Sequence, residues 1–263
     1  MNIRSEETGM ADNNIITVTG MVISTMPVGE TDRRIVLLTK ERGKITAFAK
    51  GAKKPNSPLS ASCQPFVFGE FEVYEGRTSY NIRNVNVKNY FRELVTDFYG
   101  AYYGFYFLEL ADYYGREGID ESVLITLLYQ TFRALLNENI PNELIKVIYE
   151  LKIMTINGEY PEMTVCTECG TDTDIVYYSD NNNGVCCKIC GSRRGDCFTI
   201  CDSTIYAMQY IIFSPIGKLY NFNVKREVLY EMRMIVNRFR SKYIDKKLKS
   251  LEILESLSNE KLG

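Results

Sequence analysis

The chain has 263 residues, 31 Lys+Arg against 33 Asp+Glu, and neither histidine nor tryptophan. At roughly 150 residues per domain this is one or two domains, and the lack of an imidazole excludes Ser-His-Asp and Cys-His nucleophile systems and His-ligated catalytic zinc. A hydrophobic share of 45% and a charged share of 24% are near the soluble average and suggest neither disorder nor a fibrous repeat.

Residues 1–14 are polar and acidic and read as a flexible extension without the apolar core of a signal peptide. No run approaches eighteen uninterrupted apolar residues, so no membrane span is expected. A cytoplasmic protein follows as the expectation. In that reducing compartment clustered cysteines point to a metal rather than to disulfides.

Residues 15–92 read as short strands rich in β-branched and aromatic residues: Ile16 to Ser24, Arg34 to Thr39, Lys44 to Lys50, Phe66 to Tyr74 and Tyr80 to Val87. Turn residues separate them at Pro27-Val28-Gly29, Glu41-Arg42-Gly43, Pro55 to Pro58 and Glu75-Gly76-Arg77. Room for a helix exists only after Pro58. Five strands in such a length suit a small closed barrel of the OB or SH3-like type.

From Glu93 the apolar period becomes helical, through Leu94, Phe98, Tyr102, Phe105 and Leu108, then Val123 to Leu136 and Glu143 to Asn157. Gly100 and Gly104 are expected to admit another element close to the first long helix. The aromatic run FYGAYYGFYFLELADYY reads chiefly as core, with an apolar groove for a partner peptide as the other reading. Asp202 is expected to cap a helix over Ser203 to Phe213, and Lys225 to Tyr243 forms the last long helix. The charged amphipathic tail beyond Asp245 is expected to fray. The fold class is therefore α+β multidomain, a barrel over 15–92 followed by an all-α domain over 93–263 with an insertion at about 162–201.

The small net charge of −2 hides a segregation. Residues 15–92 carry 12 Lys+Arg against 6 Asp+Glu, a net of +6, and residues 93–165 carry 4 against 12, a net of −8. A basic module fused to an acidic one hints at a polyanion-binding face. The candidate phosphate-binding residues are Arg33, Arg34, Lys40, Arg42, Lys44, Lys50, Lys53, Lys54, Arg77 and Arg83. Contacts from Lys and Arg to phosphate weaken as salt rises and carry no base information. Phe48, Phe66, Phe68, Phe71, Tyr74 and Tyr80 are candidates for base stacking, although most aromatics in a barrel are core.

Cys166-Thr-Glu-Cys169-Gly and Cys187-Lys-Ile-Cys190-Gly form two C-x2-C pairs separated by 17 residues, a zinc-site spacing. Four thiolates close a tetrahedral shell and leave no open position for water, so one structural Zn2+ per chain is expected and no catalytic residue. The glycine after each pair would let backbone amides face sulfur. Cys187 is preferred to Cys186, because Cys186 to Cys190 would be C-x3-C. Cys186, Cys197 and Cys201 stay open as alternative ligands, and Cys63, Cys197 and Cys201 otherwise read as small buried hydrophobes.

The string Ile16 to Ser57, ITVTGMVISTMPVGETDRRIVLLTKERGKITAFAKGAKKPNS, with the later cysteine pairs between helical stretches, resembles the RecO family of bacterial DNA repair proteins over about residues 15–245. The resemblance implies an N-terminal OB-fold, a helical domain with an inserted four-cysteine zinc finger, and a recombination mediator. Such a mediator binds single- and double-stranded DNA, anneals complementary strands and, with RecR, helps load RecA onto strands coated by single-strand-binding protein. It would sit in the cytoplasm and associate with the nucleoid during repair. Arg33, Arg34 and the Lys50/Lys53/Lys54 loop match basic positions of that OB-fold, and the four cysteines match its finger. The polar residues Met1 to Asn14 and the doubled Cys186-Cys187 depart from the family pattern. No G-x4-G-K-[ST] loop occurs, so annealing driven by the protein's own ATP hydrolysis is not expected, nor is an enzyme. A protein-interaction scaffold with incidental DNA contact is the competing expectation.

Overall fold

The computed structural model describes residues 14–260, so nearly all of the 1–14 extension lies outside the described residues. Two compact units are present, the first comprising the described chain up to Thr96 together with Leu108–Ile125, the second comprising Asp97–Phe107 and the described chain from Thr126 onward.

The first unit is built on five strands: β1 Ile15–Val28, β2 Asp32–Thr39, β3 Gly43–Ala49, β4 Phe68–Glu75 and β5 Tyr80–Asn89, with a short helix α1, Leu59–Ser62, between β3 and β4. They close into a barrel in the order β1-β2-β3-β5-β4, the OB arrangement. β1 runs four residues past the expected end at Ser24. A bulge between Val22 and Ser24 bends it, so that residues 15–21 pair with β4 and residues 20–28 pair with β2. Closure between β3 and β5 rests on a short parallel pairing, Ala47 with Tyr80 and Phe48 with Asn81. Alternation sends Val18, Val22, Ile35, Leu37, Ile45, Phe71 and Val73 inward to a dry core, where Cys63 also lies. Burial of that thiol pushes it up to about 11, as expected of a small core residue.

Next come α2 Arg92–Thr96, α3 Phe98–Tyr114, α4 Ser122–Leu135 and α5 Asn142–Ile156. The aromatic run of α3 is divided. Tyr103, Tyr106 and Phe107 are buried, whereas Phe98 and Phe105 are exposed. At Gly100 the nearest neighbour is the side chain of Asp97. The Gly100 amide donates to the Asp97 carboxylate at 2.8 Å, and a Cβ on the glycine would meet that carboxylate at 2.4 Å, so the glycine makes room for the helix cap.

Strands β6 Ile175–Ser179, β7 Gly184–Cys187 and β8 Cys197–Thr199 form a small sheet in the order β7-β6-β8, with the one-turn helix α6, Lys188–Gly191, after β7. Helices α7 Asp202–Phe213, α8 Arg226–Tyr243 and α9 Lys249–Glu260 complete the second unit. Asp202 lies inside α7 and the N-cap is Cys201, without a side-chain cap bond of its own. Glu231 of α8 replaces it, accepting the Cys201 amide at 3.0 Å and the Thr204 hydroxyl at 2.5 Å. At the other end of α7 the buried Lys152 ammonium donates to the carbonyls of Ile211, Ile212 and Ser214 at 3.1, 2.8 and 2.8 Å, satisfying carbonyls the helix leaves unpaired. The tail does not fray at Asp245. Leu248, Leu251 and Leu254 are buried, and each buried leucine contributes about 1.5–3 kcal/mol.

Under the second unit's surface sits a charged cluster. Glu150, 1% exposed, accepts from the Tyr106 hydroxyl and the Arg240 guanidinium and pairs with Lys146 at 3.1 Å. Burial alone would raise the Glu150 carboxyl, but Lys146 and Arg240 outweigh it and hold it below the ordinary range.

Candidate nucleic-acid interface and metal centre

The ten candidate basic residues do not form one face. Strand direction divides the two main groups, because β2 begins where β3 ends. Arg33, Arg34, Lys50, Lys53 and Lys54 gather at the end of the barrel formed by the β1–β2 turn and the loop after β3. Lys40, Arg42 and Lys44 lie at the β2–β3 turn, the opposite end of the same strands.

At the first end, the loop is tied down by its backbone. Gly51 donates its amide to the Asp32 carboxylate at 2.8 Å, Lys53 donates its amide to the Thr31 carbonyl at 2.8 Å, and the Lys53 ammonium reaches the Gly29 carbonyl at 3.1 Å. Gly51 has φ +69°, which a side chain rarely adopts. The Gly51 amide first, then the Thr31 hydroxyl and the charges of Lys50 and Lys54, hold the Asp32 carboxyl below its ordinary value. Lys50, Lys53 and Lys54 remain exposed.

Arg33 and Arg34 face opposite ways. Ile35 and Leu37 point inward, so Arg33 shares their side, half-buried opposite Ala49 with its Nε unpartnered among the described residues. Arg34 points outward between its register partners Met26 on β1 and Phe48 on β3. Met26 is 56% exposed, and Phe48 is half-buried. A cation beside an outward aromatic suits both phosphate and base. Among the other aromatic candidates Phe66 and Phe71 are core, while Phe68, Tyr74 and Tyr80 are half-buried. Met26 escaped the sequence reading because only register places it beside Arg34.

At the second end the side chains of Lys44 and Arg42 are engaged within the unit. Lys44 donates to the Asp112 carbonyl at 2.6 Å and pairs with its carboxylate at 3.3 Å; Arg42 pairs with Glu75 at 3.8 Å. The turn itself is zipped to residues 116–121, with Lys44 N to Arg116 O at 2.7 Å, Gly118 N to Arg42 O at 3.0 Å and Glu121 N to Lys40 O at 3.0 Å. Gly43 is required there, since a Cβ would meet Arg116 O at 2.1 Å. Arg77 is exposed in the β4–β5 turn, and Arg83 is exposed as the extra residue of a bulge in β5.

The cysteine pairs converge. The sulfurs of Cys166, Cys169, Cys187 and Cys190 all lie within 4.8 Å of one another, a donor set that could hold a metal ion. Cys187 caps α6, and its sulfur receives the Cys190 amide at 3.5 Å. Burial raises the Cys166 thiol, but amides of Cys187, Cys169 and Glu168 outweigh it and hold it at about 6. Cys186 is fully buried, its sulfur 3.3 Å from the Thr167 hydroxyl, and burial pushes it up to about 11. Cys197 is half-buried beside the group; Cys201 is exposed at the α7 cap rather than buried.

The two glycines serve different ends. Gly170 has φ +77° and turns the first knuckle, donating its amide to Cys166 O at 2.8 Å. Gly191 instead leaves room for a ring, because a Cβ there would meet Tyr177 at 2.5 Å. Arg194 braces this region through Asp196 at 2.9 Å, Glu168 and Asn182.

Comparison with known proteins agrees with this architecture. The family "Recombination protein O N terminal" matches residues 10–91, and "Recombination protein O C terminal" matches residues 95–252. Relatives named "DNA repair protein RecO" include that of Bacillus pumilus, 29% identical over 247 residues covering 94% of this chain and 96% of its own. That of Alkaliphilus metalliredigens is 29% identical over 92% of this chain and all of its own, and that of Bacillus subtilis is 28% identical over 92% and 94%. With matches running through both the barrel and the helical part, the chain belongs to the RecO family.

Proposed function

We propose that this protein is a non-enzymatic recombination mediator that binds single- and double-stranded DNA and anneals complementary strands. The observation that carries the reading is the barrel end where exposed Lys50, Lys53 and Lys54 are fixed by backbone bonds to the β1–β2 turn, with Arg34 and Phe48 on the adjoining outer face. Neutralising the phosphates of two strands there lowers their mutual repulsion, and the gain declines with salt. Arg77 and Arg83 extend the phosphate contacts; Arg42 and Lys44 contribute less because their side chains are engaged by Glu75 and Asp112.

RecR, single-strand-binding protein and, indirectly, RecA are the protein partners this family membership suggests. No described helix is long and apolar enough to cross a membrane, and the cytoplasm, with association to the nucleoid during repair, is the proposed location. The proposed domain order is a barrel over 15–92 and a helical domain over 93–263 carrying the finger at about 162–201. Cys166, Cys169, Cys187 and Cys190 would hold one Zn2+, which when bound cross-links the finger and supplies no catalysis.

Fluorescence anisotropy with a labelled oligonucleotide tests the reading. Salt-sensitive binding that weakens for every sequence in Lys53→Glu/Lys54→Glu is expected. Absent or salt-insensitive binding at low ionic strength would overturn it and favour the scaffold, which partner capture surviving the same double reversal would identify.

A further inference from the structure

Between α7 and the segment leading into α8 lies a groove of about 600 Å3, walled by Tyr206, Ala207 and Tyr210 on one side and Phe222, Val224 and Val228 on the other. Tyr210 meets Phe222 edge-on, with ring centres 5.1 Å apart and planes at 76°, which fixes the Phe222 ring. Tyr206 is 69% exposed and has no ring partner among the described residues. A large exposed aromatic on a groove of this size marks a binding surface rather than unfinished core.

Exposed cations lie along the segments that form the groove. Residues 203–226 contain Lys218, Lys225 and Arg226 and no acid; Asp202 and Glu227 bracket the run. All three cations are exposed, and none has an ion-pair partner among the described residues. Lys225 lines the groove, where Asp202 is the sole lining acid. The backbone of Lys218 is tied to a groove wall, because the Tyr210 hydroxyl donates to its carbonyl at 3.0 Å.

Aromatic faces beside unpaired cations match an unstacked nucleotide, whose base offers a π-face and whose flanking phosphates offer charge. An apolar peptide would fill the walls and leave the cations unused, and a duplex keeps its base faces inside the stack. We propose that this groove is a second contact for single-stranded DNA, distinct from the barrel, in which one base stacks on Tyr206 beside Phe222 and Lys218, Lys225 and Arg226 take the neighbouring phosphates. The proposal rests on the reading of the protein as one that handles DNA strands.

The test is anisotropy of the full chain with labelled oligothymidylate, an abasic strand of equal length and a blunt duplex. Tyr206→Ala, at an exposed position that the fold does not need, should weaken oligothymidylate binding about fivefold or more. It should also narrow the preference for oligothymidylate over the abasic strand and leave duplex affinity unchanged, while Tyr206→Phe restores binding. Lys218→Glu/Lys225→Glu should weaken both single strands alike. Tyr206→Ala binding oligothymidylate as tightly as the parent chain would overturn the inference, whether or not a peptide occupies the groove instead. If Lys53→Glu/Lys54→Glu leaves binding intact while Tyr206→Ala weakens it, the groove stands and the barrel's role falls.

Discussion

The Asp32 carboxylate accepts the Gly51 amide at 2.8 Å, and this bond joins the first turn of the barrel to the loop that carries three lysines. The loop therefore presents Lys50, Lys53 and Lys54 from a fixed backbone, which reduces the ordering cost when a strand binds.

Reversing Lys53 and Lys54 removes two phosphate contacts. The slope of log affinity against log salt should then fall by about 1.4 for a single strand, since each contact contributes roughly 0.7. Gly51→Ala should cost about 1–2 kcal/mol, because its φ of +69° is strained for a side chain. Salt titrations and urea unfolding check the two claims.

The thiolate site predicts about one zinc per chain in protein purified without chelator. Cys166→Ser or Cys187→Ser should release it and destabilise the second unit. Cys186→Ser should retain it, because the Cys186 sulfur is engaged by Thr167 outside the convergent group. Metal analysis returning less than about a tenth of an equivalent for the parent chain would refute the site.

The buried cluster predicts a pH-dependent stability. The Glu150 carboxyl lies below its ordinary value in the fold, so its contribution is present above the ordinary carboxylate range and is lost as pH falls through and below it. Arg240→Met strands a charge that only Lys146 still pairs and should cost roughly 3–5 kcal/mol. Glu150→Met/Arg240→Met should cost less than that single change. Denaturant unfolding between acid and neutral pH reads both effects.

Lys152→Met keeps the aliphatic packing but leaves carbonyls of Ile211 and Ile212 without their donor. A loss of about 1–3 kcal/mol is expected, measurable as a lower urea midpoint with an unchanged slope.

The barrel and the cysteine site were legible because their signals are local: period-two strands with turn residues, and two C-x2-C knuckles. Strand ends were less legible, since only the pairing of residues 20–28 with β2, past the end of the β4 ladder at Met21, explains why β1 continues to Val28. The division of the basic residues was hidden as well. Lys44 looks as free as Lys54 in the sequence, yet it is bound to Asp112, 68 positions away. Likewise the Glu150–Arg240 pair spans 90 positions, and no spacing rule reaches that far. The groove on α7 was missed because Tyr206 and Phe222 are indistinguishable from core aromatics until their exposure is known.

Strand annealing tests the central claim most directly: two complementary labelled oligonucleotides are mixed with the full chain at low salt without ATP, naked or coated with single-strand-binding protein. Pairing faster than the spontaneous rate, abolished by Lys53→Glu/Lys54→Glu and reduced by added salt, is the predicted result. Pairing no faster than without protein, or acceleration indifferent to both the substitutions and the salt, would contradict it.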